Sequence, residues 1–151
     1  MTNVVIQPEN WAPAKGYANG VLTPDGTLYV GGQIGWGEDQ IFRTHDFIGQ
    51  MEQALLNIKA VVETAGGTVQ DIVRLTWYVT DKKEYLARQH EVGEAYRRIF
   101  GRNFPAMTMV VVSGLIEDQA LVEIEATAVL AREKQRKCSP ERKANIKILD
   151  E

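Results

Sequence analysis

Apolar residues recur along the first half of the chain with two different periods. Residues 17–23 and 27–34 are β-favouring runs that flank the turn sequence Pro-Asp-Gly, so they predict a hairpin. From Thr44, the expected N-cap, apolar residues recur every three or four positions up to Gly66, which predicts a helix. The outer face of this helix, which includes Asn57, is expected to contact water.

The second half of the chain continues the pattern with a strand, a helix and two further strands. The stretch IVRLTWYVT alternates apolar and polar residues, as a half-buried strand does. Asp81 followed by Glu84 is typical of a helix start, and the second helix is expected to end near Gly101. Strands are predicted over 106–113 and 121–130. This order predicts an α+β fold in which both helices pack on one face of a mixed sheet.

The last two strands predict that the protein assembles with copies of itself. In the last strand, Glu123, Glu125 and Thr127 alternate with an apolar row that belongs under the helices. The polar row shares its sheet face with one row of AMTMVVV, which is apolar whether that row begins at Ala106 or at Met107. Because monomers seldom expose a large apolar surface, we expect a closed symmetric homo-oligomer.

Composition places the chain among ordinary globular proteins. Its 151 residues suit one domain, and 44% hydrophobic and 25% charged residues are average values. No apolar run approaches the roughly 20 residues of a membrane span, and the N-terminus lacks the features of a signal peptide. Cys138 is the single cysteine. We therefore expect a cytoplasmic protein without membrane association.

Charge divides the chain into a body and a tail. Residues 1–130 carry a net charge of −6, and residues 131–151 carry +3, which together give the total of −3. We interpret 1–130 as the folded domain and 131–151 as a basic C-terminal tail, partly helical or disordered. No aromatic residue lies among the tail's charges to stack on bases, so a solvated tail is favoured over a nucleic-acid-binding one.

Five stretches within about residues 10–130 read KGYANG, LYVGGQIG, MEQALLNIKAVVETAGGTVQDIVRLTWYV, FPAMT and VEIEATAV. In series they resemble the RidA/YjgF family, which includes imine deaminases and was formerly called endoribonuclease L-PSP or translation inhibitor. The resemblance implies a chorismate-mutase-like fold and a homotrimer whose sheets form a central β-barrel. It also implies three small-molecule sites in the clefts between subunits.

The resemblance further implies hydrolysis of reactive enamines and imines, such as 2-aminoacrylate, to ketoacids and ammonia without a metal or cofactor. His45 and His90 have no paired spacing, so the sequence predicts no metal site either. In deaminating relatives an arginine holds the substrate carboxylate where this chain has Met107. Because such a contact is worth about 1.5–3 kcal/mol, we expect inefficient 2-aminoacrylate deamination. Gly31 and Gly93 also replace a serine and an asparagine of these relatives.

The positions aligned with the family define a candidate site. We expect Glu123 and Tyr17 to be catalytic, with Glu123 positioning the hydrolytic water and Tyr17 bonding the substrate heteroatom. The expected substrate-binding residues are Gly31, Gly32, Gln33, Trp36, Met107 and Met109. A cleft of this composition favours an apolar or aromatic ligand with one polar handle. Without a cationic partner, and if desolvated, Glu123 should have a raised pKa.

Each candidate also has a purely structural interpretation, so several functions stay open. Tyr17 and Trp36 can be packing aromatics, Met107 can be an interface filler and Glu123 a solvated strand residue. The favoured function is a small-molecule hydrolase of a RidA branch that lacks the arginine. The second is a non-catalytic metabolite-binding or regulatory trimer. RNA cleavage or translation inhibition is disfavoured, because the body is acidic and has no basic aromatic groove.

Overall fold

The computed structural model describes residues 2–131 and 146–148. A helical layer covers one face of a seven-stranded sheet in this part of the chain. The helices are α1 (Phe47–Thr64), α2 (Lys82–Ala87) and α3 (Gln89–Phe100), with a short 3-10 turn at Val69–Asp71. The strands are β1 (Val4–Ile6), β2 (Gly20–Leu22), β3 (Thr27–Ile34), β4 (Ile72–Val79), β5 (Ala106–Val111), β6 (Val122–Val129) and β7 (Ile146–Ile148).

The strand order is β5-β4-β6-β3-β2-β1-β7, and every neighbouring pair is antiparallel except β4 and β5. This arrangement confirms the predicted α+β fold, the hairpin of β2 and β3 and the strands β4, β5 and β6. Gly26, at φ +93°, closes the hairpin turn in a conformation that favours glycine. The sequence analysis did not predict β1.

The predicted basic tail lies largely outside the described residues. Its segment Ile146–Ile148 forms β7, which pairs antiparallel with β1. The sequence analysis did not predict this strand within the tail. The physical reason is that β1 would otherwise be a free edge with unpaired backbone groups, and a short β-favouring segment satisfies them.

Helix α1 begins two residues later than the sequence suggested. Its N-cap is Asp46, whose side chain accepts a hydrogen bond from the Gly49 backbone nitrogen at 3.1 Å. Thr44 instead accepts a hydrogen bond from the backbone nitrogen of Asp46. The helix ends as expected, before Gly66 at φ +98°.

The expectation that Asn57 contacts water was wrong. Asn57 is 5% exposed, and its amide nitrogen donates to the carbonyl oxygens of Ile34 at 3.2 Å and Trp36 at 2.9 Å. The chain leaves β3 at this point, so its carbonyl groups have no strand partner. Asn57 supplies the donor that they need. This contact fixes the segment that carries Trp36 against α1.

The second predicted helix is divided at Arg88 into α2 and α3. As predicted, Asp81 caps the start by accepting from the Glu84 nitrogen, and the end lies at Gly101. The Arg88 guanidinium bonds the carboxylates of Asp46, Glu84 and Glu91, which joins the α2–α3 junction to the start of α1.

Strand β6 alternates as predicted and separates the two faces of the sheet. Its apolar row, Val122, Ile124, Ala126 and Ala128, is at most 5% exposed beneath the helices. The row of Glu123, Glu125 and Thr127 lies on the open face. Among the described residues, none of the helices combines the length and the apolar character of a membrane span.

The open face is more polar than the sequence analysis expected. The register of β4 and β5 places Ala106, Thr108 and Val110 on this face, because they pair with Arg74, Thr76 and Tyr78. Tyr78 donates a hydrogen bond to Glu125 at 2.7 Å. The open face is therefore a mixed surface with isolated apolar residues, and the more apolar row of β5 lies on the helical face.

Candidate functional site

Most of the predicted site residues line one cavity of about 390 Å³ beside the open face, which we call the Glu123 cavity. The bulge in β3 between Val30 and Gln33 shapes its wall, and the loop before β6 forms its rim. Its lining consists of Tyr17, Ala18, Asn19, Gly31, Gly32, Gln33, Ile34, Trp36, Ile116, Glu117 and Glu123. The structure thus brings together six of the eight predicted site residues.

The side chain of Glu123 lies directly over the backbone of Gly32. A Cβ placed on Gly32 would be 2.8 Å from the carboxyl carbon of Glu123 and 3.0 Å from its Cγ, and closer still to Oε1. Only a residue without a side chain leaves room for this approach. The absence of a side chain at Gly32 therefore provides the space that the Glu123 carboxylate occupies.

The pKa of Glu123 is raised above its usual value, as the sequence analysis expected. Burial of the carboxyl group is the main cause, and the nearby charge of Glu125 is the second. Among the described residues the Glu123 side chain has no hydrogen-bond or ion-pair partner. The cavity thus holds a carboxyl group that can gain or lose a proton closer to neutral pH than an exposed glutamate can.

A chain of buried amides supports the floor of the Glu123 cavity. The Gln33 side-chain nitrogen donates to Asn19 Oδ1 and to the Gly31 carbonyl oxygen, both at 3.1 Å. Asn19 in turn donates to Gln7 Oε1 at 3.1 Å. Because its amide nitrogen is already bonded, Gln33 is better suited to holding the β3 bulge in place than to binding a ligand.

Two aromatic residues stand at the edges of the Glu123 cavity. Tyr17 is 52% exposed, and its hydroxyl accepts a long hydrogen bond of 3.3 Å from Gln40. The Trp36 ring lies 5.9 Å from the Phe42 ring at an angle of 49°. Because the Tyr17 oxygen accepts this bond, its O–H group can still donate to a ligand, whereas Trp36 is held in place by packing.

Met107 and Met109 are not part of this cavity within one chain. They pair with Leu75 and Trp77 of β4, whose side chains face the helices, so they lie on the opposite face of the sheet from Glu123. The sequence analysis placed the cleft between subunits, so the meeting of these methionines with Glu123 stays a prediction. Within one protomer the register of β5 separates them, and the two apolar rows of this strand do not reveal that register.

The two methionines line a second cavity of about 280 Å³ between α3 and β5, which we call the Met107 cavity. Its lining consists of Trp77, Tyr85, Gln89, Val92, Gly93, Tyr96, Arg97, Phe104, Met107 and Met109. Tyr96 and Phe104 stack at 5.9 Å and 17°. Sequence reasoning did not single out Trp77 or Arg97. The four-residue spacing of Gly93 and Arg97 on a helix was the available signal.

Ile116 and Glu117 are further residues that sequence reasoning missed. Ile116 is 98% exposed on the rim of the Glu123 cavity, where an apolar side chain is accessible to a ligand or to another protein surface. Among residues 2–131 and 146–148, no group of three or more His, Cys, Asp or Glu side chains is arranged to hold a metal ion.

The fold and the Glu123 cavity define a small α+β protein with a partly desolvated carboxyl group beside an open sheet. The endoribonuclease L-PSP family model matches residues 8–130, so the chain belongs to this family, which is also named Rid or YjgF. The YjgF gene product of E. coli is similar at 34% identity and a TM-score of 0.71, over 84% of this chain and 98% of that chain.

Two further solved structures are similar over most of their length. The Rid-family protein YyfA of Yersinia pestis, described as of unknown function, is 34% identical with a TM-score of 0.74, over 85% of this chain and 99% of that chain. E. coli TdcF, solved with bound serine, is 29% identical with a TM-score of 0.71, over 84% of this chain and 98% of that chain.

Proposed function

We propose that this protein is a cofactor-independent hydrolase of enamine- or imine-type metabolic intermediates and that it works as a homotrimer. In this proposal the Glu123 cavity of one copy and the Met107 cavity of a second copy form one site. The observation that carries the proposal is Glu123 itself. Its carboxyl group has a raised pKa and no partner among the described residues, and it lines an open cavity.

The exposed edge of the sheet supports a site shared between copies. Strand β5 is at the edge, where Met107 is 47% and Val111 is 53% exposed. An uncovered apolar edge strand favours association with another chain. A second copy of this chain is present in every solution of the protein, so we take it as the partner. The relative TdcF, with its bound serine, supports a small molecule as the ligand.

The residues of the Glu123 cavity fit the hydrolysis of a carbon–nitrogen double bond. Glu123 as a carboxylate takes a proton from water while the water oxygen bonds the imine carbon and the C=N π electrons move to nitrogen. Tyr17, which lines this cavity, hydrogen-bonds the substrate heteroatom. Glu123 returns the water proton to the nitrogen, which gives an aminoalcohol. Glu123 then takes the hydroxyl proton and passes it to the nitrogen as the C–N bond breaks, so ammonia leaves and the C=O bond of the ketone forms. A carboxyl group with a raised pKa suits these proton transfers.

Met107 makes 2-aminoacrylate a poor substrate in this proposal. A thioether cannot form the paired hydrogen bonds of an arginine with a carboxylate, which are worth about 1.5–3 kcal/mol. Methionine and aromatic side chains contact larger apolar groups well. We therefore propose a bulkier imine or enamine as the substrate.

A non-catalytic metabolite-binding or regulatory trimer is the second candidate. The observation that favours it is the loss of polar side chains at Met107, Gly31 and Gly93 together. Such a protein would use both cavities for binding and would hold Glu123 as a hydrogen-bonding group only. Turnover separates this candidate from the first.

The deciding experiment is hydrolysis of imines generated from amino acids by an amino-acid oxidase, with ketoacid release as the readout. We expect the wild type to accelerate release from bulky apolar imines and to act weakly on 2-aminoacrylate. Glu123→Gln should abolish the acceleration, and Met107→Arg should increase activity on 2-aminoacrylate. Unchanged turnover in Glu123→Gln would remove Glu123 from the mechanism, and no turnover on any imine would favour the binding protein.

The assembly has its own test in sedimentation velocity at low protein concentration. A homotrimer has three times the 16.9 kDa mass of the chain. A stable species with the mass of one chain would contradict the proposed shared site.

A further inference from the structure

The Met107 cavity is lined by two residues whose side-chain donors have no acceptor among the described residues. Trp77 is 1% exposed, and its indole nitrogen has no hydrogen-bond partner. Arg97 lines the same cavity and forms no ion pair with a described carboxylate, whereas the adjacent Arg98 pairs with Glu52 on α1. Because the accessible guanidinium group of Arg97 has no ion-pair partner among the described residues, this cavity suits a ligand that brings acceptors.

Gly93 creates the space in which Arg97 lies. The two residues are one turn apart on α3, and a Cβ placed on Gly93 would be 3.1 Å from Arg97 Nη1 and 3.7 Å from Cζ and Nη2. The guanidinium group therefore lies against the backbone of Gly93. A side chain at position 93 would compete for that space, so the glycine at 93 and the position of the arginine are linked.

The charge and shape of the cavity specify the ligand further. Arg97 is the only formally charged residue that lines it in the described part of the chain, and no carboxylate faces it there. The Tyr96 hydroxyl already donates to the Asn103 carbonyl oxygen. The stacked rings of Tyr96 and Phe104 and the two methionines supply flat, apolar surface. An anionic group attached to an apolar or aromatic body matches this combination.

We infer that Arg97 binds the carboxylate of an aromatic or bulky apolar ligand in the Met107 cavity, where Trp77 forms part of the wall. A guanidinium group presents paired N–H donors that match the two oxygens of a carboxylate. The anion-binding group thus comes from helix α3 and not from strand β5, where Met107 provides apolar contact. The inference rests on the proposed function only in taking this ligand to be the substrate.

Benzoate and benzamide test this inference because they share a ring and differ in charge. Their affinities for the full-length protein can be measured by isothermal titration, with the Trp77 indole signal followed by nitrogen–proton NMR. We expect benzoate to bind more tightly than benzamide and to shift the Trp77 signal. Arg97→Gln should weaken benzoate binding by about tenfold or more and leave benzamide unchanged. Arg102→Gln removes the same charge from an exposed position outside the cavity and should change neither affinity.

Two results would overturn the inference. One is an Arg97→Gln protein that melts like the wild type and binds benzoate as tightly. The other is the absence of saturable benzoate binding by the wild type. Neither result depends on turnover. Arg97-dependent binding without imine hydrolysis would contradict the proposed function alone, whereas hydrolysis with Arg97-independent binding would contradict this inference alone.

Discussion

The Glu123 side chain packs against the backbone of Gly32. A Cβ added to Gly32 would lie only 2.8 Å from the carboxyl carbon of Glu123. This relationship connects β3 and β6 at the floor of the Glu123 cavity. It also keeps the carboxyl group partly out of water, which raises its pKa. The catalytic proposal therefore depends on a glycine as much as on a glutamate.

Gly32→Ala should displace the Glu123 side chain and reduce imine hydrolysis by about tenfold or more, because small displacements of a catalytic group cost large factors in rate. The measurement is turnover on a bulky imine, with folding checked by circular dichroism. Gly114→Ala is the matched control, since a Cβ there would meet nothing within 4 Å. Equal losses in both variants would show that the effect is not local.

Glu123→Gln should change stability in a pH-dependent way. Because the pKa of Glu123 is raised in the folded protein, the folded state holds this proton more tightly than the unfolded state. The stability that this provides is present at pH values below the usual glutamate pKa and is lost as the pH rises through the raised pKa. We therefore expect Glu123→Gln to have a higher melting temperature than the wild type, and the difference to be larger at pH 7 than at pH 4.

The control for that experiment is Glu9→Gln, which removes the same charge from an exposed position. A difference between Glu123→Gln and the wild type that is independent of pH would contradict the raised pKa. A larger gain at pH 4 than at pH 7 would contradict even its direction.

Asn57→Leu should destabilise the protein by about 2–3 kcal/mol, because two carbonyl oxygens at the end of β3 lose their donor. Chemical denaturation gives the free energy of unfolding. Lys59→Ala on the exposed side of α1 is the control and should change it by less than about 0.5 kcal/mol. An unchanged free energy of unfolding in Asn57→Leu would mean that this amide does not hold the segment carrying Trp36.

Gly93→Ala should stabilise the protein by about 0.5–1 kcal/mol, because glycine is unfavourable inside a helix. The added methyl group contacts the flexible end of Arg97, which can move by a few tenths of an ångström at little cost. The measurement is again the free energy of unfolding. A loss of stability would show that the guanidinium group has no room to shift and would mean that Gly93 is required for packing.

Residues whose role follows from local pattern were predicted well from the sequence. The alternation of β6 correctly placed Val122 beneath the helices and Glu123 on the other face, because side chains in a strand alternate strictly. Asp81 and Gly101 correctly marked the ends of the α2–α3 segment. In these cases the chemistry of one residue and its neighbours decides the structure.

Residues whose role depends on distant partners were not predicted. Both rows of β5 are apolar, so only the backbone pairing with β4 decides that Met107 faces the helices. Asn57 lies at a position where the sequence pattern predicts exposure. It is buried instead, and its amide donates to the carbonyl oxygens of Ile34 and Trp36. Arg97 gains its significance only from the space over Gly93. Such relationships between elements do not appear in any local window of the sequence.

The shared site can be tested directly with mixed oligomers. Glu123→Gln disables the first cavity, and Met107→Glu places a charge in the second that repels an anionic substrate. Each variant alone should be inactive in imine hydrolysis. If every site combines cavities from two different copies, unfolding the two variants together and refolding them should restore roughly a quarter of the wild-type activity, since random assembly leaves that share of sites intact. A mixture that stays inactive, although an affinity tag on one variant pulls down the other and so shows mixed assembly, would contradict the account.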